Sequence, residues 1–221
     1  MNVTLKQPRQ LVVRLAENQL EIERALSLRY HVFNQEMELG LAASHATGKD
    51  RDEFDLYCDH LIVVDEAREG EVVGTYRLLK GAVARRYSGF YSSSEFDLSG
   101  LSRLDREVAE IGRSCVHLEY RDGSVISMLW NGLAQYMLDQ DVHYLMGCGS
   151  VTSVDPAVVS ATGAYILSKD AVLDLPVKPR AGRELAGYDP HGVLFDKAAQ
   201  KLVPALVKGY VRAGSRLALH P

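Results

Sequence analysis

Glu110 and Arg113 form an ionisable pair within a predicted β-strand, Val108–Val116, whose residues alternate in character. On a regular pleat, a spacing of three sends two side chains to opposite faces. Gly112 lies between them and favours a β-bulge, which would re-aim one side chain and free backbone N–H groups. A carboxylate, a guanidinium and free amides in one place suit acyl transfer. A salt bridge at the strand end is the equally weighted alternative.

The elements that must position this pair follow from the hydrophobic pattern. A Gly-marked turn after the strand leads into a predicted helix, because apolar residues recur at helical spacing from Val125 to Met137. We further predict strands over Leu11–Leu15, 61–64, 72–79 and 144–151, with 61–64 and 72–79 forming a hairpin. We also predict helices over 19–38, 156–170 and 201–217, with Asp155 capping the helix that begins at Pro156. Residues 80–107 form a long connection, and 174–195 a loop with one short strand.

Composition places the chain among soluble globular proteins. It has 221 residues, of which 47% are hydrophobic and 24% charged, so we expect a single domain over residues 1–221. No apolar run approaches the roughly 20 residues of a membrane span, and the N-terminus lacks the apolar region of a secretory signal. We therefore expect a cytoplasmic protein.

Cysteines, histidines and net charge limit the remaining classes. The three cysteines and seven histidines lie far apart, which predicts reduced core thiols and no metal site. The net charge of -4 argues against nucleic acid as a partner. The charge is unevenly distributed, because residues 201–221 hold four cations and no acid.

A polar segment at residues 44–59, here called the acidic segment, carries five aspartate or glutamate residues: Asp50, Asp52, Glu53, Asp55 and Asp59. Such a run is usually a solvated loop. It could instead receive a cationic substrate, and the pattern leaves both interpretations open.

Four separated fragments together resemble the acyl-homoserine-lactone autoinducer synthases and, more strongly, the bacterial ornithine N-acyltransferases of ornithine lipid synthesis, both in the GNAT superfamily. The fragments are RYHVF at 29–33, DEFD at 52–55, GTYRLL at 74–79 and EIGR at 110–113. Further stretches, such as YCDHLIVVD at 57–65 and KGYVRAGS at 208–215, favour the ornithine branch. The resemblance runs from about residue 10 to 215. The family usually continues beyond KGY into another strand, which leaves the last sheet strand in question here.

This resemblance implies an α/β (α+β) GNAT-like fold: a mixed central sheet flanked by helices, with a cleft between splayed fourth and fifth strands. It implies a long-chain, often 3-hydroxylated, acyl donor on the phosphopantetheine of acyl carrier protein, with no tightly bound cofactor. Coenzyme-A-using relatives cradle a pyrophosphate in a Gln/Arg-x-x-Gly-x-Gly/Ala turn at a helix N-terminus. Counted from Arg121, only one of the two small positions is kept, which favours a carrier-tethered arm over coenzyme A. Arg121, Gly123 and Ser124 are the predicted pantetheine-binding residues.

The resemblance also implies the reaction, which is aminolysis of the thioester by the α-amine of L-ornithine. Glu110 is the predicted general base. Arg113 and Tyr165 complete the predicted catalytic set, with Tyr165 as the proton donor to the leaving thiolate or, alternatively, a core tyrosine. The predicted substrate-binding residues are Arg29, Phe33, Asp52, Asp55 and Arg77. A structural ion-pair network between the first helix and the acidic segment explains Arg29, Asp52 and Asp55 nearly as well.

The expected partners are acyl carrier protein and a small amino acid, with no nucleic acid. The cationic tail could also bind the inner face of the membrane as a peripheral contact. The sequence leaves the oligomeric state open. The alternative functions are an autoinducer or general N-acyl amino acid synthase, and a non-catalytic module that binds acyl carrier protein.

Overall fold

The computed structural model describes residues 8–151 and 153–219. The strands are β1 (Leu11–Leu15), β2 (Asp59–Asp65), β3 (Glu71–Lys80), β4 (Phe96–Asp97), β5 (Val108–Val116), β6 (Tyr144–Met146) and β7 (Lys178–Pro179). The helices are α1 (Gln19–Tyr30), α2 (Gly81–Ala84), α3 (Ser124–Asp139), α4 (Pro156–Ser168), α5 (Lys197–Leu202) and α6 (Ala205–Arg212). A π-helical turn, His31–Glu36, extends α1 over most of the predicted first helix.

The chain forms two compact units. The first consists of the described part of Met1–Phe90 together with Arg106–Gly147, and the second of Tyr91–Asp105 with the described part of Cys148–Pro221. The interpretation of residues 1–221 as a single domain stays a prediction.

The first unit is built on a five-stranded sheet with the order β1-β2-β3-β5-β6. The first three pairings are antiparallel, and β5 pairs with β6 in parallel. This arrangement confirms the predicted mixed sheet and the predicted β2–β3 hairpin.

Helices cover both faces of this sheet because its strands alternate between two apolar sets. The set on the α3 face includes Leu61, Val63, Tyr76, Leu78 and Ala109. The set on the α1 face includes Ala25, Leu28, Ile62, Val72 and Cys115. Residues between the members of one set must therefore face the other helix.

The last strand of the first unit is shorter than the sequence predicted. Instead of residues 144–151, only Tyr144–Met146 forms a strand. The ladder with β5 ends at the pair Glu110 and Met146. At Gly147 a Cβ atom would lie 2.4 Å from the Ile111 carbonyl oxygen, so glycine is required where the two backbones approach.

The second unit packs α4 against α5 and carries a two-residue antiparallel pairing of β4 with β7. Asp155 caps α4 by accepting a hydrogen bond from the Ala157 amide at 2.9 Å, as predicted. The prediction of one tail helix over 201–217 is wrong. The tail forms two helices, α5 and α6, because Pro204 lacks an amide hydrogen and its ring opposes a continuous helix. Beyond α6, Leu217 forms an isolated parallel bridge with Val172.

Two further predictions concern cysteine and membrane spans. Cys58 and Cys115 are at least partly buried, but Cys148 is exposed, so the interpretation of all three as core thiols is wrong for Cys148. Across residues 8–151 and 153–219, every helix is too short or too polar to cross a bilayer.

Candidate active site

Glu110 is buried in the middle of the sheet of the first unit, with 6% of its surface exposed. Its neighbours Ala109 and Ile111 pack on the α3 face, so the Glu110 side chain is directed to the α1 face. It lies opposite Leu79 of β3 and forms the last β5–β6 pair with Met146. Gly112 follows on the same face and borders open space, because a Cβ atom there would have no heavy atom within 4 Å. A buried carboxylate thus lies next to room for a ligand.

The bulge predicted at Gly112 is present, one residue later in the chain. Between the pairs Thr75–Cys115 and Arg77–Gly112, β3 contributes one residue and β5 contributes two, Arg113 and Ser114. Arg113 has a left-handed backbone with φ of 49°. Such a bulge bends the strand and redirects a side chain.

The bulge places the Arg113 guanidinium on the same side of the sheet as Glu110. Arg113 lies 3.5 Å from the Asp50 carboxylate, and its guanidinium carbon lies 5.7 Å from the centre of the Phe33 ring. Asp50 also binds Arg29 of α1, which identifies this side as the α1 face. The geometry therefore places Glu110, Arg113 and Phe33 on the same face of the sheet.

Arg29 is completely buried between two aspartates. Its guanidinium donates to Asp50 at 2.5 and 2.8 Å and to Asp55 at 2.6 and 3.2 Å. The Arg29 side chain is 1% exposed. The structural network considered from the sequence is thus present, and the substrate-binding role of Arg29 stays a prediction.

Arg77 ties the same network to the central strand. Its guanidinium donates to Asp52 at 2.6 Å and to Asp55 at 3.2 Å, and it lies over the Phe54 ring at 5.4 Å. Burial alone would raise the pKa of Asp55, but the hydrogen bond from Arg29 and the charges of Arg29 and Arg77 outweigh it and lower that pKa to about 2. Asp55 is therefore ionised at neutral pH.

The acidic segment is shaped locally by a capping box. The Asp52 carboxylate accepts from the Phe54 amide at 2.9 Å, and the Asp55 carboxylate accepts from the Asp52 amide at 2.9 Å. The reciprocal bonds hold a 3-10 turn, Glu53–Leu56, against Arg77. Asp52 and Asp55 are thus preorganised, and the solvated-loop interpretation is wrong for this part of the segment.

Two residues of this cluster were not among the predicted site residues. Asp50 is fully buried and holds Arg29. His60 is 2% exposed, lies across the ladder from Arg77, and has its Nε2 3.9 Å from the nearest Asp55 oxygen. Neither His60 nitrogen has a hydrogen-bond partner among the described residues. Burial lowers the pKa of His60, which is consequently neutral at neutral pH. The available signal was the position of His60 within the YCDHLIVVD fragment.

The turn before α3 brings Arg121, Gly123 and Ser124 together at the helix N-terminus. Gly123 has φ of 97°, a conformation that favours glycine. Arg121 donates to Glu36 at 2.6 Å and to the Val116 carbonyl at 2.9 Å. The Asp122 carboxylate accepts from the Ser124 hydroxyl at 2.6 Å and from its amide at 3.0 Å. These bonds from Ser124, together with one from Arg9, lower the pKa of Asp122 to about 2. The Ser124 amide at the helix N-terminus, a type of group that binds anions, is therefore already bonded to a carboxylate.

Two predicted residues lie in other surroundings. Tyr165 is 4% exposed in the core of the second unit, where it packs with Val203, Val207 and Phe195. Asp59 accepts a hydrogen bond from Tyr136 of α3 at 2.7 Å, so it lies on the opposite face from Glu110. The role of Tyr165 in protonating a thiolate stays a prediction.

Comparisons with known proteins identify the family of the chain. Residues 28–131 match the acetyltransferase (GNAT) domain family. An L-ornithine N(alpha)-acyltransferase of Rhizobium meliloti (strain 1021) is 37% identical over 215 residues, which cover 93% of this chain and 72% of that protein. A second, from Agrobacterium fabrum (strain C58 / ATCC 33970), is 37% identical over 216 residues, covering 93% and 73%. The crystal structure of the AHL synthase LasI is 16% identical, with a TM-score of 0.46 over 63% of this chain and 72% of that one. The match to the GNAT domain family, together with the mixed sheet flanked by helices, confirms the predicted GNAT-like fold class.

Proposed function

Because the chain belongs to the L-ornithine N(alpha)-acyltransferase family, we propose that it transfers a fatty acyl group, 3-hydroxylated in the preferred donor, from acyl carrier protein to the α-amine of L-ornithine. The observation that carries the proposal is the buried Glu110 carboxylate beside the β5 bulge and the open space at Gly112. The product is an N-acyl amino acid with one fatty chain.

The reaction forms a C–N bond and breaks the thioester C–S bond. The acceptor amine is largely an ammonium ion at neutral pH, so a proton must leave before the nitrogen attacks. In the proposed mechanism Glu110 takes that proton, directly or through one water molecule. The departing thiolate of the phosphopantetheine arm takes up a proton, either from protonated Glu110 or from solvent.

Two groups beside Glu110 have proposed roles in binding and charge stabilisation. The backbone amide of Ser114, in the bulge, is the proposed donor to the oxyanion of the tetrahedral intermediate. Arg113 is the proposed partner of the acceptor carboxylate, since the bulge directs it to the α1 face. Arg29, Asp52, Asp55 and Arg77 support this face through their buried ion pairs.

The position of the Asp122 carboxylate supports a donor bound to acyl carrier protein rather than to coenzyme A. A free coenzyme A thioester brings a pyrophosphate, which the Asp122 carboxylate at the α3 N-terminus would repel. A phosphopantetheine arm on acyl carrier protein places only one phosphodiester near this turn. Proposed contacts with the arm come from Arg121, Gly123 and Ser124.

The test is to mix the purified chain with acyl carrier protein thioesters and a panel of amino acids, and to weigh the products. We expect N-acyl ornithine and a free carrier thiol. A lactone product would instead identify an autoinducer synthase, products from many amino acids a general synthase, and no thiol release a binding module.

The Glu110→Gln variant tests the proposed base. Its kcat should fall by about 100-fold or more, because general base catalysis typically contributes that much, while its unfolding midpoint stays close to that of the natural chain. Glu119→Gln is the matched control, since it removes an exposed carboxylate on the segment after the same strand. Full activity of Glu110→Gln would remove Glu110 from the mechanism.

A further inference from the structure

A basic surface lies at the end of the second unit, in residues 194–216, here called the basic tail. It holds five cations and one acid, although the whole chain has a net charge of -4. The cations are Lys197, Lys201, Lys208, Arg212 and Arg216. This is a local excess of positive charge on a chain that is acidic as a whole.

The one acid of the basic tail is used inside the fold. Asp196 caps α5, with its carboxylate accepting from the amides of Ala198 at 2.8 Å and Ala199 at 2.9 Å. Lys208 donates to the Gln200 carbonyl at 2.7 Å, and Arg216 donates to the Asp170 and Val172 carbonyls at 3.1 and 3.2 Å. Carbonyl partners leave the charge of these two cations in place.

The basic tail has a packed side and an outer side. Ala199, Val203 and Val207 are buried, and the latter two pack against Tyr165. Lys197 and Lys201 are one helical turn apart on α5, opposite Ala199, and Arg212 is exposed at the end of α6. Lys197, Lys201 and Arg212 therefore project away from the core of the unit.

Exposed leucines neighbour these cations in the chain. Leu194 is 85% exposed, Leu202 46% and Leu206 48%, although leucine side chains gain free energy when they leave water. Cations that bind anionic headgroups and apolar side chains that enter the acyl boundary are the two components of peripheral membrane binding.

We infer that the basic tail docks onto an anionic lipid bilayer. The choice of a bilayer rests on the proposed function, because an N-acyl amino acid with a long chain is an amphiphile that enters membranes. Docking through the second unit's tail holds the enzyme where its product is deposited.

The experiment measures co-sedimentation of the full chain with vesicles, without donor or acceptor. We expect binding to mixed phosphatidylglycerol and phosphatidylcholine vesicles that is about tenfold or more stronger than binding to phosphatidylcholine alone, and that weakens at high salt. The triple variant K197Q/K201Q/R212Q should lose about tenfold or more of this binding. Leu202→Ser with Leu206→Ser should weaken the binding that persists at high salt.

The matched control is K169Q/K178Q/R183Q, which removes three exposed cations elsewhere in the same unit and makes the same change in net charge. It should bind vesicles as the natural chain does. Equal loss in both triple variants, no preference for anionic vesicles, or a triple variant that loses only carrier protein binding would overturn the inference.

Acyl transfer in detergent-free solution, with a short-chain carrier thioester, separates this inference from the proposed function. The kcat/KM of K197Q/K201Q/R212Q should match that of the natural chain. A chain that binds vesicles but forms no N-acyl ornithine would contradict the proposed function and leave the docking inference standing.

Discussion

Two sets of ion pairs join α1 to the acidic segment, and they differ mainly in burial. The inner set pairs Arg29 with Asp50 and Asp55, whose side chains are 1%, 0% and 2% exposed. The outer set pairs Glu23 with Lys49 and Arg51, whose side chains are 22%, 37% and 42% exposed. The same two elements are thus held by the same chemistry in two different surroundings.

This difference in burial indicates which ion pairs fix the structure of the candidate active site. Removing charges from water is costly, so a buried set is tolerated only where hydrogen bonds compensate the desolvation. Arg29 meets this condition with four hydrogen bonds, and Asp55 accepts further bonds from Arg77 and the Asp52 amide. The outer set is screened by water and salt. The inner set therefore positions the acidic segment against Arg77.

Replacing Arg29 by Met should produce the largest loss in this comparison. It leaves Asp50 and Asp55 buried without their main partner, which typically costs about 3–5 kcal/mol of the free energy of unfolding. Urea unfolding followed by circular dichroism measures the loss. Arg29→Lys keeps the charge but loses the planar guanidinium, so it should recover only part of the lost free energy of unfolding. A loss equal to that of an exposed arginine would show that the inner set is not structural.

Replacing Asp55 by Asn should cost less, about 1.5–3 kcal/mol at neutral pH, because charged hydrogen bonds from Arg29 and Arg77 weaken while the side chain keeps its shape. The pKa of Asp55 is lowered to about 2, so its stabilisation is present above the pKa of the unfolded chain and is lost as pH falls through about 2. The difference between the natural chain and Asp55→Asn should therefore shrink between about pH 4 and about pH 2. A difference that stays constant with pH would assign the loss to packing. Acid titrations of both proteins at fixed urea measure it.

The local sequence pattern predicted the structural features that depend on residues close together in the chain. The bulge followed from Gly112, the β2–β3 hairpin from two alternating runs, and the α4 cap from Asp155 before Pro156. The partners of Arg29 could be suggested only as a network, because contacts between residues 21 and 26 positions apart leave no periodic signal.

The same limit explains what was missed. Burial of Asp50 and His60 is a tertiary property, which neither composition nor spacing reveals in one sequence. The predictions of a strand over 144–151 and of one helix over 201–217 were wrong at their ends. Apolar runs predict that an element exists better than they predict where it ends.

His60 adds a buried histidine to the inner set. Its pKa is lowered by burial, so the unfolded chain binds a proton more readily than the folded chain does. The stabilisation is complete above the pKa of the unfolded chain, about 6.5, and is lost as pH falls below it. The free energy of unfolding should fall by up to about 1.4 kcal/mol per pH unit in this window. His60→Gln should remove that slope, and an unchanged slope would assign it to other histidines.

Replacing Arg51 by Gln should give the smallest effect and thereby sharpen the comparison with Arg29. Exposed ion pairs typically contribute about 0–1 kcal/mol, since water already solvates both charges and the long side chains lose entropy when they pair. The loss should shrink further at high salt, because screening reaches a pair that is 42% and 22% exposed. A double-mutant cycle with Glu23→Gln isolates the pair from other effects. A coupling energy above about 2 kcal/mol would place Glu23 and Arg51 in the same energetic class as the inner set, and burial would then not be what separates the two.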